Sequence, residues 1–188
     1  SAPDSEALEK FAAALSVAEH PAIVVGGGVD RADAWDDAVR LAERLGAEVW
    51  EAPAPERASF PQDHPLFQGF LPLSIAPLAD GLRGYDLVLV VGAPVFRYYP
   101  YIPGPVLHQG TRLLHITDDP DEAARAPLGD AVVGDVRAAL VRLGERTAKG
   151  SRSKPPRRPD PAATAPEQPM SVAFAFHELA RTLPAETV

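Results

Sequence analysis

The chain has 188 residues, 46% apolar and 23% charged, which is ordinary globular usage and excludes wholesale disorder. Lys and Arg number 18 against 26 Asp and Glu, and the formal charge of −8 argues against a dedicated nucleic-acid binder. There is no Cys, so disulfides, Cys-ligated zinc and thiol catalysis are absent, and no apolar run reaches the ~18 residues that span a bilayer.

Leu8, Phe11, Ala12 and Leu15 recur at three- and four-residue steps and predict an amphipathic helix over residues 4–18, started by Asp4 or Ser5. Ala22-Ile23-Val24-Val25 before Gly26-Gly27-Gly28 reads as a buried strand that feeds a turn. One helix is expected from Asp30 to Leu45, closed by Gly46, followed by a short strand at residues 48–51. Residues 53–70 carry Pro53, Pro55, Pro61 and Pro65 without periodicity and read as a long loop. A helix at 73–82, the clearest strand at 86–91, strands at 113–116 and 131–133, and a helix at 136–143 complete the pattern.

Strand and helix in alternation, with strands apolar throughout, predict an α/β fold: a Rossmann-like parallel sheet with helices on both faces. Such sheets place ligands at the carboxyl ends of their strands, from which loops 53–70 and 93–110 depart. The expected organisation is a central α/β domain at 1–148, a linker at 149–169, and a helix that opens a further, truncated domain at 170–188. Six of the 21 linker residues are Pro and its charge is +3. Val172, Phe176, Leu179 and Leu183 stripe the last helix, which has nothing of its own to pack on. The only Met is Met170, so the chain is expected to be a piece of a longer protein, and the lack of a signal segment points to the cytoplasm.

The Gly26–Gly28 turn supports two readings. Gly26 and Gly28 match the first two positions of a dinucleotide fingerprint, and Glu51 is a candidate for its ribose acid, but Arg31 stands where the third Gly belongs. The other reading is a tight strand-to-helix turn, and Asp30 and Asp33 would repel a phosphate. Among the five His, no pair has metal-site spacing; His64 reads as a loop-packing residue and His115 as a satisfied core or edge His. No Ser sits in a nucleophile elbow. The loop Phe96-Arg97-Tyr98-Tyr99-Pro100-Tyr101 follows the clearest strand directly. Its aromatic walls and single cation suit an apolar carboxylate, and they suit a subunit contact equally.

Several ordered motifs resemble the central domains of thiamine diphosphate-dependent decarboxylases and synthases. They are Phe60-Pro61, His64-Pro65 and Gly69, then Asp86 to Gly92, then Ile116-Thr117-Asp118-Asp119-Pro120, then Val133-Gly134-Asp135-Val136. Gly92-Ala93-Pro94-Val95-Phe96-Arg97-Tyr98 and Glu122-Ala123-Ala124-Arg125-Ala126-Pro127 are most similar to the benzoylformate decarboxylase family within that group. The resemblance implies an enzyme that removes CO2 from an aromatic 2-keto acid to give an aldehyde, with the thiamine ring as electron sink. It implies that thiamine diphosphate and magnesium bind on N- and C-terminal domains outside this chain, and that the subunits form a homo-oligomer, a tetramer. No cofactor or metal is then expected on this chain, which alone would be inactive: Gly129-Asp130 and Gly134-Asp135 lack the rest of the diphosphate motif, and Asn is absent. Tyr99 takes the position of the family's active-site His, a hydrogen-bond donor where the family has a proton carrier, with Phe96, Arg97, Tyr98 and Tyr101 lining the substrate mouth. The alternatives are an FAD- or ADP-binding central domain, as in acetohydroxyacid synthases, and a free-standing, non-enzymatic domain that binds a nucleotide or partner. No nucleic-acid or membrane partner is expected.

Overall fold

A computed structural model describes residues 1–96, 102–150, 158–159, 164–166 and 168–184. The chain divides into two units, Ser1–Arg158 and Pro159–Val188.

The first unit is built on six strands, all parallel, in the order β3-β2-β1-β4-β5-β6. In the chain they are β1 (Pro21–Val25), β2 (Glu48–Glu51), β3 (Phe67–Phe70), β4 (Leu87–Val91), β5 (Arg112–Thr117) and β6 (Asp130–Val133). Central strands β1 and β4 are buried at every position, because both of their faces are covered. On one face pack α1 (Ser5–Val17), α3 (Trp35–Leu45) and α6 (Val136–Arg146), whose Leu8, Leu15, Leu41, Leu45, Leu140 and Leu143 meet Ile23, Val49 and Leu89. On the other, α4 (Ile75–Gly81) presents Leu78, and with Leu82 it covers Val24, Val88 and Val90. Caps follow local chemistry: Asp4 accepts from the backbone N–H of Glu6 and Ala7, and Asp135 accepts from that of Ala138. Gly46 closes α3 at φ 62°.

Three expectations change. The helix expected over 30–45 is two: α2 (Gly27–Arg31) and α3, separated because Asp33 takes a left-handed φ of 52°. The Asp30 carboxylate accepts from Trp35 Nε1 at 3.1 Å and pairs with Arg57 at 3.0 Å. Residues 67–70, read as loop, form edge strand β3, where Phe67 is buried and Gly69 takes φ 119°. A short α5 (Pro120–Arg125), capped by Asp119, also stands where no helix was expected.

In the second unit, α7 (Val172–Thr182) starts on Ser171, whose hydroxyl accepts from the Phe174 N–H. Its Val172, Phe176 and Leu179 are exposed.

Candidate functional site

Strand order reverses its direction of growth between β1 and β4, so a ligand crevice belongs beyond their carboxyl ends. Here the two turns close on each other. Gly28 N–H donates to the Gly92 carbonyl at 2.8 Å, and Gly26 N–H to that of Val91 at 3.0 Å. A Cβ on Gly26 would stand 2.5 Å from Ala93 Cβ, and one on Gly28 would stand 2.6 Å from Gly92 Cα. The missing side chains therefore admit protein backbone, where the fingerprint would admit a pyrophosphate. Gly26 and Gly27 border a cleft of about 180 Å³, lined also by Arg31, Pro53, Glu56, Pro94 and Glu122. One cation, Arg31, and two carboxylates, Glu56 and Glu122, give an anion no net attraction there. The candidate ribose acid Glu51 has no exposed surface: it shares the inner face with Val49. Tight-turn packing is what Gly26 and Gly28 do, and the residues present do not fit a dinucleotide.

Glu51 is unusual in its own right. Among the described residues, neither carboxylate oxygen makes a hydrogen bond of ordinary geometry. Burial pushes its pKa up to about 7, an effect that nearby Ser59 offsets only in part. Loop residues 53–66 are pinned by buried Phe60, by the Arg57–Asp30 pair, and by His64, whose Nε2 lies 3.5 Å from Glu43. His64 is thus a loop-packing residue, with Phe60 against its ring edge.

The segment after β4 is firmly held. Gly92 N–H donates to the Ile116 carbonyl at 2.9 Å, and His115 Nε2–H donates to the Ala93 carbonyl at 2.9 Å. Ala93, Val95 and Phe96 are buried. Phe96 takes a left-handed φ of 37°, rare for an aromatic residue. Of the residues expected at the substrate mouth, Phe96 is therefore a buried anchor. Arg97, Tyr98, Tyr99 and Tyr101 lie outside the described residues.

Among the described residues His115 is only half satisfied, since its Nδ1 has no hydrogen-bond partner there. Burial lowers its pKa, and the bond to Ala93 counters this in part, so the ring is held neutral. The sequence missed this role because the partner is a backbone carbonyl 22 residues away.

Among the described residues, no group of three His, Asp or Glu side chains could hold a metal ion. Asp130 pairs with Arg112 at 3.0 Å, and Asp135 is committed to capping α6. Those Gly-Asp pairs do not fit a magnesium diphosphate, and no chemistry on this chain is routed through one. No helix of the described residues is long and apolar enough to cross a membrane.

Residues 8–143 match the family described as thiamine pyrophosphate enzyme, central domain. The chain belongs to that family. It is 45% identical over 165 residues to a benzoylformate decarboxylase of Pseudomonas aeruginosa, a match covering 88% of this chain and 31% of the relative. A benzoylformate decarboxylase structure from Polynucleobacter necessarius superposes with a TM-score of 0.95 at 36% identity, covering 100% of this chain and 36% of the other. A thiamine diphosphate-dependent 4-hydroxybenzoylformate decarboxylase of Rhodococcus jostii gives 0.92 at 42% identity, covering 98% and 36%. This thiamine pyrophosphate enzyme central domain thus spans about a third of the length of these relatives.

Proposed function

We propose that the whole protein decarboxylates an aromatic 2-keto acid to an aldehyde, and that residues 1–148 are the central support domain of that enzyme. The observation that carries this is the 45% identity to a benzoylformate decarboxylase across 88% of the chain. Thiamine diphosphate and magnesium belong, in this reading, to N- and C-terminal domains of the same polypeptide. α7, with its exposed apolar stripe, is the lead-in to the second of these. A homotetramer in the cytoplasm completes the proposal. Arg97, Tyr98 and Tyr101 line the substrate mouth, and Tyr99 donates a hydrogen bond there, since an unperturbed phenol with a pKa near 10 keeps its proton at neutral pH.

Two measurements test this. In the complete protein, benzoylformate and 4-hydroxybenzoylformate should be turned over, and Tyr99→Phe should lower kcat roughly tenfold, the worth of one hydrogen bond of about 1.4 kcal/mol. Unchanged kinetics would remove Tyr99 from the chemistry. On this chain, a thermal-shift titration with FAD, ADP, and thiamine diphosphate plus magnesium should show no shift. A ligand at 100 times its Kd adds about 2.7 kcal/mol, roughly 5 to 11 °C at this size. A shift of that size with FAD or ADP would establish a nucleotide-carrying central domain instead.

A further inference from the structure

Segment 92–96 directly precedes residues 97–101 in the sequence, and three kinds of contact fix it. The Gly26–Gly28 turn holds it through the bond from Gly28 N–H to the Gly92 carbonyl. Strand β5 holds it through the bond from Gly92 N–H to the Ile116 carbonyl. The third contact comes from a side chain. His115, 1% exposed, stands on β5 opposite Val90 and reaches past the end of β4 to the Ala93 carbonyl, 2.9 Å from Nε2. Among the described residues no other side chain hydrogen-bonds to this segment.

The backbone beyond that bond is strained. Phe96 sits at φ 37°, and its N–H donates to the Pro94 carbonyl at 2.9 Å. A non-glycine residue in such a region costs about 1–3 kcal/mol and persists only where its surroundings over-determine it. Burial of Val95 and Phe96 supplies part of that constraint, and the Ala93 carbonyl is the last backbone group before the strained turn to be tied by a side chain.

The His115 ring is also costly to keep. An apolar residue of similar size would remove a buried nitrogen, Nδ1, that has no partner among the described residues, and leave a smoother core beside Val88, Val90 and Leu113. What it would lose is the donor to Ala93. We propose that His115 is a positioning residue, which holds the Ala93–Phe96 turn and thereby supports the catalytic contribution proposed above for Tyr99. It touches no substrate itself. The catalytic half of this statement rests on the decarboxylase reading; the holding half does not.

The tests separate the two halves. On this chain, nitrogen NMR of the imidazole should show a neutral ring protonated at Nε2; a proton on Nδ1 would overturn the proposal without any variant. Hydrogen exchange at the Val95 and Phe96 amides should accelerate at least tenfold in His115→Leu, while strands β4 and β5 exchange as before. His115→Gln, whose terminal amide can replace Nε2–H, should stay within about twofold of the unaltered chain. If the Leu variant does not fold, His115→Phe keeps the ring volume and is read the same way. Unchanged exchange at Val95 and Phe96, or acceleration spread evenly over β4 and β5, overturns the proposal. In the complete enzyme, His115→Leu should lower kcat about tenfold with KM within twofold, and Gln should restore it. Exchange results as expected, with no turnover of an aryl 2-keto acid by the unaltered enzyme, would refute the decarboxylase reading and leave the holding role standing.

Discussion

The two ends of the sheet are finished in opposite ways. At the amino end, polar groups find one another: Tyr85 donates to the Glu48 carboxylate and accepts from Trp50 Nε1 at 3.0 Å. His20 Nδ1 meets the Gly84 carbonyl at 3.0 Å, and Asp86 accepts from the N–H groups of Glu19 and His20. At the carboxyl end, the Glu51 carboxylate and His115 Nδ1 are buried with no hydrogen bond of ordinary geometry among the described residues, and Asp33, Ala54 and Phe96 take left-handed backbone. Buried polar groups are normally paired, so each exception needs a reason. One end spends its polar chemistry on stability; the other carries unsatisfied groups and strain where the loops leave.

The sharpest way to break this contrast is at Glu51. A rise from 4.5 to about 7 corresponds to roughly 3 kcal/mol. The folded state holds the proton more tightly than the unfolded chain does. That contribution is therefore complete below pH ~4.5 and is lost as pH climbs through ~7. Urea midpoints of the unaltered chain should fall across that window, and Glu51→Gln should flatten the fall and gain stability at pH 8. An identical pH profile in the two proteins would mean that Glu51 is partnered after all.

Next in size is the closed glycine turn. In Gly28→Ala the new methyl would meet Gly92 backbone, which cannot step aside, at an overpacking cost of about 2 kcal/mol. Urea unfolding measures it, and a neutral outcome would reopen the crevice to a ligand. At the satisfied end, Tyr85→Phe should cost about 1–2 kcal/mol, because Glu48 and the Trp50 N–H each lose a partner. Burial already raises the Glu48 carboxyl, against the charge of His20, and losing the phenol should raise it further, as carbon NMR of the carboxyl would show.

Much of the scaffold was legible, for a physical reason that also explains the misses. A parallel strand covered on both faces must be apolar throughout, and Leu87–Val91 and residues 22–25 are. Edge strand β3 has one neighbour and an exposed Phe70, so Phe67-Gln68-Gly69-Phe70 carried no such signature among the prolines. The break at Asp33 hides in a stretch whose side chains keep a helical rhythm. At the candidate site, tight packing of Gly26 and Gly28 was one of two readings open from sequence, and the distances to Gly92 and Ala93 decide it. Glu51 was misplaced by spacing alone. Alternation along β2 puts it on the same inward face as Val49, and that rule was available. His115 was rightly placed in the core, but its half-satisfied state depends on a distant carbonyl that no local pattern encodes.

The strand order also has a consequence for synthesis on the ribosome. Strand β1 lies at the centre of the sheet, yet its second neighbour, β4, is completed only at Val91, 66 residues after Val25. At 5–20 residues per second that is an interval of about 3 to 13 s. In its last 21 residues, once β3 is completed at Phe70, the nascent half-sheet of β3, β2 and β1 presents the bare edge of the wholly apolar β1. Codon usage between Pro21 and Val91 therefore sets how long that edge stays open to wrong partners in the crowded exit environment.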